Sequence, residues 1–115
     1  MAITHELIIK KSRFICYIYN LDNIDEIDSI LSNLKKEHKR ADHFCYAYII
    51  GNKEKAFNDK EPNGTAGLPI LNVLKKNNLN NIFAIVIRYY GGIKLGAGGL
   101  IRAYSKAVSE AIKKA

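Results

Sequence analysis

Residues 88–105 read RYYGGIKLGAGGLIRAYS, and the rest of the chain is organised around this stretch. It follows an apolar run at residues 82–87 and leads into a helical pattern that continues to the end of the sequence. Glycine packs nothing and costs backbone entropy, so a high density of it indicates positive φ angles, or a ligand or chain segment pressed against the backbone. The stretch contains Gly91, Gly92, Gly96, Gly98 and Gly99.

Three cationic side chains, Arg88, Lys94 and Arg102, bracket these glycines. A strand, a glycine-rich turn and a helix N-terminus together form an anion site, because free N–H groups and the helix dipole point the same way. Tyr89 and Tyr90 place aromatic faces beside the charges, an arrangement typical of proteins that bind single-stranded nucleic acid. We therefore predict an anion or nucleic-acid site here. Alternatively, the glycines only shape a tight connection and one tyrosine packs inward.

Residues 58–67 form a loop rich in turn residues, in which Asp59 and Glu61 are candidate functional carboxylates. They could act as an acid/base pair or hold Mg²⁺ beside a phosphate. The favoured alternative is turn formation with a salt bridge to Arg88 or Arg102. The whole predicted site comprises Arg88, Tyr89, Tyr90, Gly91, Gly92, Lys94, Gly96, Gly98, Gly99 and Arg102, with Asp59, Glu61, Gly64 and Thr65 in a supporting loop.

Composition indicates one domain with an acidic partner. The 115 residues, 48% of them hydrophobic, predict a single unit over residues 1–115 with a substantial core. The formal net charge is +7 and the pI about 9.4, which favours an acidic partner such as nucleic acid or an anionic membrane surface; the alternative is that the charge serves solubility only. The N-terminus lacks a long apolar signal segment, and no apolar run approaches the ~20 residues of a membrane span. We expect a cytoplasmic protein with no membrane partner.

The two cysteines favour structural roles. Cys16 and Cys45 lie in apolar, strand-like runs, and no CxxC or Cys/His zinc spacing is present. Cys45 shares a predicted strand face with His43, but side chains two residues apart on a strand stand roughly 6–7 Å apart, too far for a direct hydrogen bond. We therefore predict no catalytic residue, no metal and no cofactor, and expect both Cys45 and His43 to be structural.

Hydrophobic periodicity predicts five strands and three helices in the order β-β-α-β-β-α-β-α. The strands are predicted at residues 3–9, 13–19, 43–50, 53–57 and 82–87. The helices are expected to begin near Asn23, near Gly67 or Leu68 with Pro69 in the first turn, and after Gly99. This pattern predicts an α+β domain of two layers, with helices on one face of a mixed β-sheet.

Four segments resemble the IMPACT family of translation-linked proteins, which occurs in bacteria and eukaryotes. They are RYYGGIKLGAGGLIRAYSKA at residues 88–107, NDKEPNGTAGLPILNVL at 58–74, KKSRFI at 10–15 and ADHFCYAYIIG at 41–51. The second is similar to the family's "DDGEPSGTAGRPIL" segment. Where that segment has a second acid and a glycine, this chain has Lys60, which weakens a metal or acid/base role for the loop.

The resemblance implies a fold like that of domain 2 of ribosomal protein S5, which small-molecule kinases also use. Eukaryotic IMPACT proteins restrain a kinase that phosphorylates a translation initiation factor, with help from another domain. The resemblance thus implies a non-enzymatic regulatory module linked to translation, with RNA or a ribosome-associated protein as partner. The alternative is a phosphate-binding enzyme, for phosphoryl transfer or hydrolysis, acting at residues 91–99. The oligomeric state stays open.

Overall fold

The computed structural model describes residues 2–115, and every predicted element is present. The strands are β1 (Ile3–Ile9), β2 (Ser12–Asn20), β3 (His43–Ile50), β4 (Lys53–Phe57) and β5 (Ile82–Tyr89). The helices are α1 (Ile27–Glu37), preceded by a 3₁₀ turn at Ile24–Glu26, α2 (Gly67–Lys76) and α3 (Gly96–Ile112). The expected start of the last helix was wrong: α3 begins at Gly96, so Gly96, Gly98 and Gly99 lie in its first turn rather than in the preceding loop.

The strands form one sheet in the order β1-β2-β5-β3-β4. The expected α+β class is confirmed, but the sheet is not mixed, because each pairing in the described chain is antiparallel. The described sheet has no parallel pair because of the position of β5. The β2-α1-β3 unit has the connectivity that usually joins neighbouring parallel strands, but β5 lies between them and runs opposite to both.

Helices cover both faces of the sheet, not one as expected. Helices α2 and α3 pack on the face that carries Cys16, Cys45 and Val86, and α1 packs on the opposite face, through Ile27 and Leu34. Each residue of β5 from Ile82 to Arg88 is buried. A strand that is apolar on both sides needs a cover on both sides, so the third layer follows from the composition of β5.

The β1–β2 hairpin turn packs against the glycine stretch. Lys10 and Lys11 have φ angles of 48° and 66°, which is the geometry of a tight two-residue hairpin turn. A Cβ added to Gly91 would clash with the Lys11 carbonyl oxygen and would lie 2.6 Å from the Lys11 Cβ. The glycine therefore permits the two segments to touch, and it brings both lysines beside residues 91–99. None of the helices in residues 2–115 is long and apolar enough to cross a bilayer.

Candidate functional site

A buried ion pair joins β5 to the loop at residues 58–66. The Arg88 guanidinium donates through Nη1 to both carboxylate oxygens of Glu61, at 2.8 and 3.1 Å, and through Nη2 to Ser12 Oγ at 3.3 Å. The Tyr104 hydroxyl donates to Glu61 Oε2 at 2.5 Å. Arg88 and Glu61 are only 5% and 7% exposed. This pairing is the structural alternative favoured for Glu61, and it neutralises much of the charge of Arg88.

Asn58 holds the loop and caps α2. Its Nδ2 donates to the carbonyls of Glu61 and Pro62, both at 2.7 Å, and its Oδ1 accepts the N–H groups of Ala66 and Gly67. Because Pro69 has no N–H, three unpaired N–H groups remain at the helix start, and two of them are thereby satisfied. The sequence did not predict this role, because the cap lies eight and nine residues before the groups that it satisfies rather than at the adjacent position.

The two candidate carboxylates of the loop do not converge. Asp59 accepts the Phe44 N–H through Oδ2 at 2.6 Å, while Glu61 turns to the buried arginine. Thr65 donates to the Pro62 carbonyl at 2.6 Å, and Gly64 takes a positive φ of 73°. These contacts give the loop a fixed shape. No group of three or more His, Cys, Asp or Glu residues in the described chain is arranged to hold a metal ion.

A cleft of about 490 Å³ opens between this loop and the start of α3. The ion pair lies at its floor, and Tyr90, 46% exposed, forms part of its wall. The Tyr90 N–H donates to Asp42 Oδ2 at 2.7 Å, and the Tyr90 ring centroid lies 5.4 Å from the Arg88 Cζ. We call this cavity the cleft; its lining also includes His43, Pro62, Lys94, Leu95, Gly96, Ala97 and Leu100.

A second cavity, of about 280 Å³, lies on the other side of Leu95 and is basic. Arg102, Lys10 and Lys106 line it. The three predicted cations are therefore divided, since Arg88 and Lys94 line the cleft and Arg102 lines its neighbour. Lys10 and Lys106 were not predicted. Lys106 was recognisable as the residue one helical turn after Arg102, whereas Lys10 arrives through the hairpin contact. We call Lys10, Lys94, Arg102 and Lys106 the basic face.

The two tyrosines after β5 have different roles. The Tyr89 hydroxyl lies 2.6 Å from His38 Nδ1, and the Arg13 guanidinium lies 4.8 Å from the centroid of its ring. Tyr89 is thus held against α1 and β2, on the sheet face opposite α3, while Tyr90 faces the cleft. Of the glycines, Gly92 and Gly96 have φ angles of 90° and 73°, where side chains are rarely accommodated, and Gly98 lies beneath the Arg102 guanidinium.

The two thiols lie in the core. Cys16 and Cys45 are both free, and their accessible surface is zero. Burial raises the pKa of Cys45 to about 12, and burial likewise raises the pKa of Cys16. Because the thiolate is the reactive form, such groups are poor nucleophiles at neutral pH. His43 contacts the Asp59 carbonyl through Nδ1 and lines the cleft.

We predict that neither thiol reacts with iodoacetamide in the folded protein at pH 8. Burial excludes the reagent, and the raised pKa of Cys45 leaves only about one thiol in ten thousand ionised at that pH. Mass spectrometry after timed alkylation should show full labelling only when denaturant is added. Labelling of Cys45 in the native protein at the rate of a small free thiol would contradict both its burial and its structural role.

The geometry can be set beside known proteins. Residues 10–112 match the sequence model of the Impact N-terminal domain. The chain belongs to the IMPACT family. It is 52% identical to the IMPACT family member YvyE of Bacillus subtilis over 111 residues, which cover 94% of this chain and 51% of YvyE. It is 42% identical to an IMPACT family member of Haemophilus influenzae, covering 97% and 57% of the two chains. Rat Protein IMPACT is 32% identical over 93 residues, 76% of this chain and 29% of that protein. This IMPACT-family chain thus spans about half the length of the bacterial relatives.

Solved structures agree on the fold. A crystal structure described as that of a hypothetical protein has a TM-score of 0.94 and 36% identity, covering 98% of this chain and 57% of the other. The structure of the two-domain translational regulator Yih1 has a TM-score of 0.50 and 21% identity, covering 96% and 45%. The likeness to Yih1 concerns the fold.

Proposed function

We propose that this IMPACT-family domain is a non-enzymatic binding module of the translation machinery, and that its basic face contacts the phosphates of RNA. The observation that carries the proposal is the grouping of four cations around two adjoining cavities. Lys10, Lys94 and Arg102 form no ion pair within residues 2–115, and Lys106 has a single partner, Glu110, at 3.7 Å. Unpaired, exposed cations grouped on one face are the electrostatic footprint of a nucleic-acid-binding surface.

The connection to translation comes from the family. A related fold belongs to a translational regulator, and the curated relatives extend from bacteria to mammals. The local geometry supports RNA, because exposed Tyr90 offers a ring for base stacking near the cations. A protein partner with an acidic surface is the other outcome that the test below distinguishes. Lys35, Lys36, Lys39 and Arg40 near the end of α1 lie on the opposite layer and are not included in the basic face.

We expect Lys94→Ala to weaken binding to a short single-stranded RNA similarly for unrelated sequences. Each phosphate contact contributes a slope of roughly −0.7 to log affinity against log salt, so the variant should flatten the slope by about 0.7. Tyr90→Ala should cost about 1–3 kcal/mol with little change in slope, because stacking is not ionic. Fluorescence anisotropy at several salt concentrations measures both quantities.

Lys36→Ala is the matched control, because it removes the same charge from an exposed helix position outside the basic face. It should leave the slope almost unchanged. Equal losses in Lys94→Ala and Lys36→Ala would show a diffuse charge effect, and a Lys94→Ala variant that keeps the parental affinity and slope would exclude the basic face. Binding to ribosomal proteins but not to RNA would redirect the proposal to protein contacts.

A further inference from the structure

The cleft has the composition of a ligand site. Its volume falls within the range of roughly 300–1,000 Å³ typical of small-molecule pockets. Its walls are largely apolar, from Pro62, Tyr90, Leu95 and Leu100. Its polar groups gather at two places: the buried ion pair with His43 at the floor, and Lys94 with the start of α3 at the rim. Two separate polar poles joined by apolar walls fit a ligand that itself has two polar ends.

When the His43 ring is neutral, two acceptors face each other at the floor. His43 Nδ1 lies 2.8 Å from the Asp59 carbonyl oxygen. A carbonyl only accepts, so Nδ1 carries a proton and the Nε2 of the neutral ring is an acceptor. This Nε2 lies 3.6 Å from Glu61 Oε1, beyond hydrogen-bond distance. A hydroxyl or amino group of a ligand placed beside these two acceptors would donate a hydrogen bond to them.

The floor also holds an unsatisfied donor. The Arg88 residue is only 5% exposed, and its Nε has no hydrogen-bond partner within residues 2–115. An orphan polar atom of this kind is uncommon in a native structure. The Nε atom itself is shielded from solvent, but it belongs to a side chain that lines the cleft, so the polar floor contains a hydrogen-bonding group that the protein alone leaves unsatisfied.

The rim favours a negative charge. Leu95 precedes α3 and no side chain of residues 2–115 caps the helix start, so the first N–H groups remain available. The first turn of α3 has no acidic residue, and Gly96 and Ala97 line the cleft beside Lys94. The helix dipole and the ammonium group therefore both attract an anion to this end.

We propose that the cleft binds one nucleotide unit. Its phosphate lies at Lys94 and the start of α3, and its base packs against Tyr90. A ribose hydroxyl donates to either His43 Nε2 or Glu61 Oε1, or a base amino group donates to both. The idea rests on the proposed function, since this unit would belong to the RNA that the basic face holds. The same chemistry also describes a free nucleotide, so the experiment separates these two sources.

The experiment records amide resonances of the whole chain by NMR during titration with inorganic phosphate, with each ribonucleoside 5′-monophosphate and with a short mixed-sequence RNA. Ala97→Glu places a carboxylate at the rim, where an acid in the first turn also favours the helix. His43→Phe removes the Nε2 acceptor, and with it the Nδ1 hydrogen bond to the Asp59 carbonyl, while keeping a planar ring. Ser105→Glu, on α3 beside the groove with α2 and outside the cleft, is the control for the added charge.

The expected result is that a monophosphate shifts the resonances of Lys94, Gly96 and Ala97, and binds more tightly than inorganic phosphate. Ala97→Glu should weaken this binding at least tenfold, His43→Phe about fivefold, as for one lost hydrogen bond, and Ser105→Glu by less than twofold. If the RNA shifts the same resonances and binds more tightly, the unit belongs to a strand. Binding of the monophosphate without RNA binding supports a free nucleotide and contradicts the proposed function.

Two results would overturn the inference. In the first, monophosphates bind no more tightly than inorganic phosphate and His43→Phe does not change their affinity, so the cleft would be a simple anion site. The second such result has two parts: RNA shifts only the resonances around Arg102 and Lys106, and Ala97→Glu and Ser105→Glu have the same RNA affinity. The basic face would then remain the RNA surface, and the cleft would not be part of it.

Discussion

Replacing Glu61 with alanine is expected to lower the free energy of unfolding by about 3–5 kcal/mol, which is the usual cost of removing one partner of a buried ion pair. The Arg88 guanidinium would be left in the interior with Ser12 as its remaining side-chain partner, and the Tyr104 hydroxyl would lose its acceptor. A loss of this size is a large part of the total stability of a small domain. Urea denaturation followed by circular dichroism measures it.

Two companion variants separate the buried charge from the packing. Tyr104→Phe removes the hydrogen bond to Glu61 and the weak one that the Cys45 thiol donates at 3.5 Å, but leaves the ion pair intact, so about 1–3 kcal/mol is expected. The double variant Glu61→Leu with Arg88→Met replaces the pair by apolar groups and should recover most of the loss, because no unpaired charge remains. A double variant as unstable as Glu61→Ala would show that the pair contributes through its geometry instead. A loss under 1 kcal/mol in Glu61→Ala would indicate that water reaches Arg88.

Much of the fold was predictable because the signals are local. The alternation in β1, the apolar run in β5 and the helical spacing in α3 each report on nearby residues, and all of these elements are present, although α3 begins earlier than expected, at Gly96. The sheet order was not predictable in the same way. Nothing local in residues 82–89 states that β5 enters between β2 and β3, so a mixed sheet was the simplest expectation. The second helical layer, in contrast, follows from the apolar composition of β5 once its position is known.

In the candidate site, too, the local features were predictable and their partners were not. The glycine stretch correctly indicated close backbone approach, and the acidic loop was correctly expected to form a salt bridge. The partners of these features are remote, however. Arg88 and Glu61 are separated by 27 positions in the sequence, and Lys11 and Gly91 are separated by most of its length. Such contacts depend on the register of several strands together, which a residue pattern does not specify.

The contact between the hairpin turn and the glycine stretch leads to the second large effect. Gly91→Ala is expected to lower the free energy of unfolding by about 3 kcal/mol or more, at the upper end of overpacking effects, because the new methyl group would meet backbone atoms of Lys11. The φ angle of Gly91 is not in the positive region, so the cost is steric and not conformational. The strain is relieved only if the β1–β2 turn moves, and such a movement also displaces Lys10 from the basic face.

Gly98→Ala is the matched control, since it adds the same methyl group to the same glycine stretch. Its nearest neighbour would be Arg102 Nη1 at 3.3 Å, the end of a flexible side chain that can move aside. Because alanine favours a helix more than glycine does, this variant should raise the stability by up to about 1 kcal/mol. The midpoints of thermal and urea denaturation should therefore fall for Gly91→Ala and rise for Gly98→Ala. Equal, small effects of both would mean that the hairpin turn does not rest on Gly91, and that Lys10 reaches the basic face without this contact.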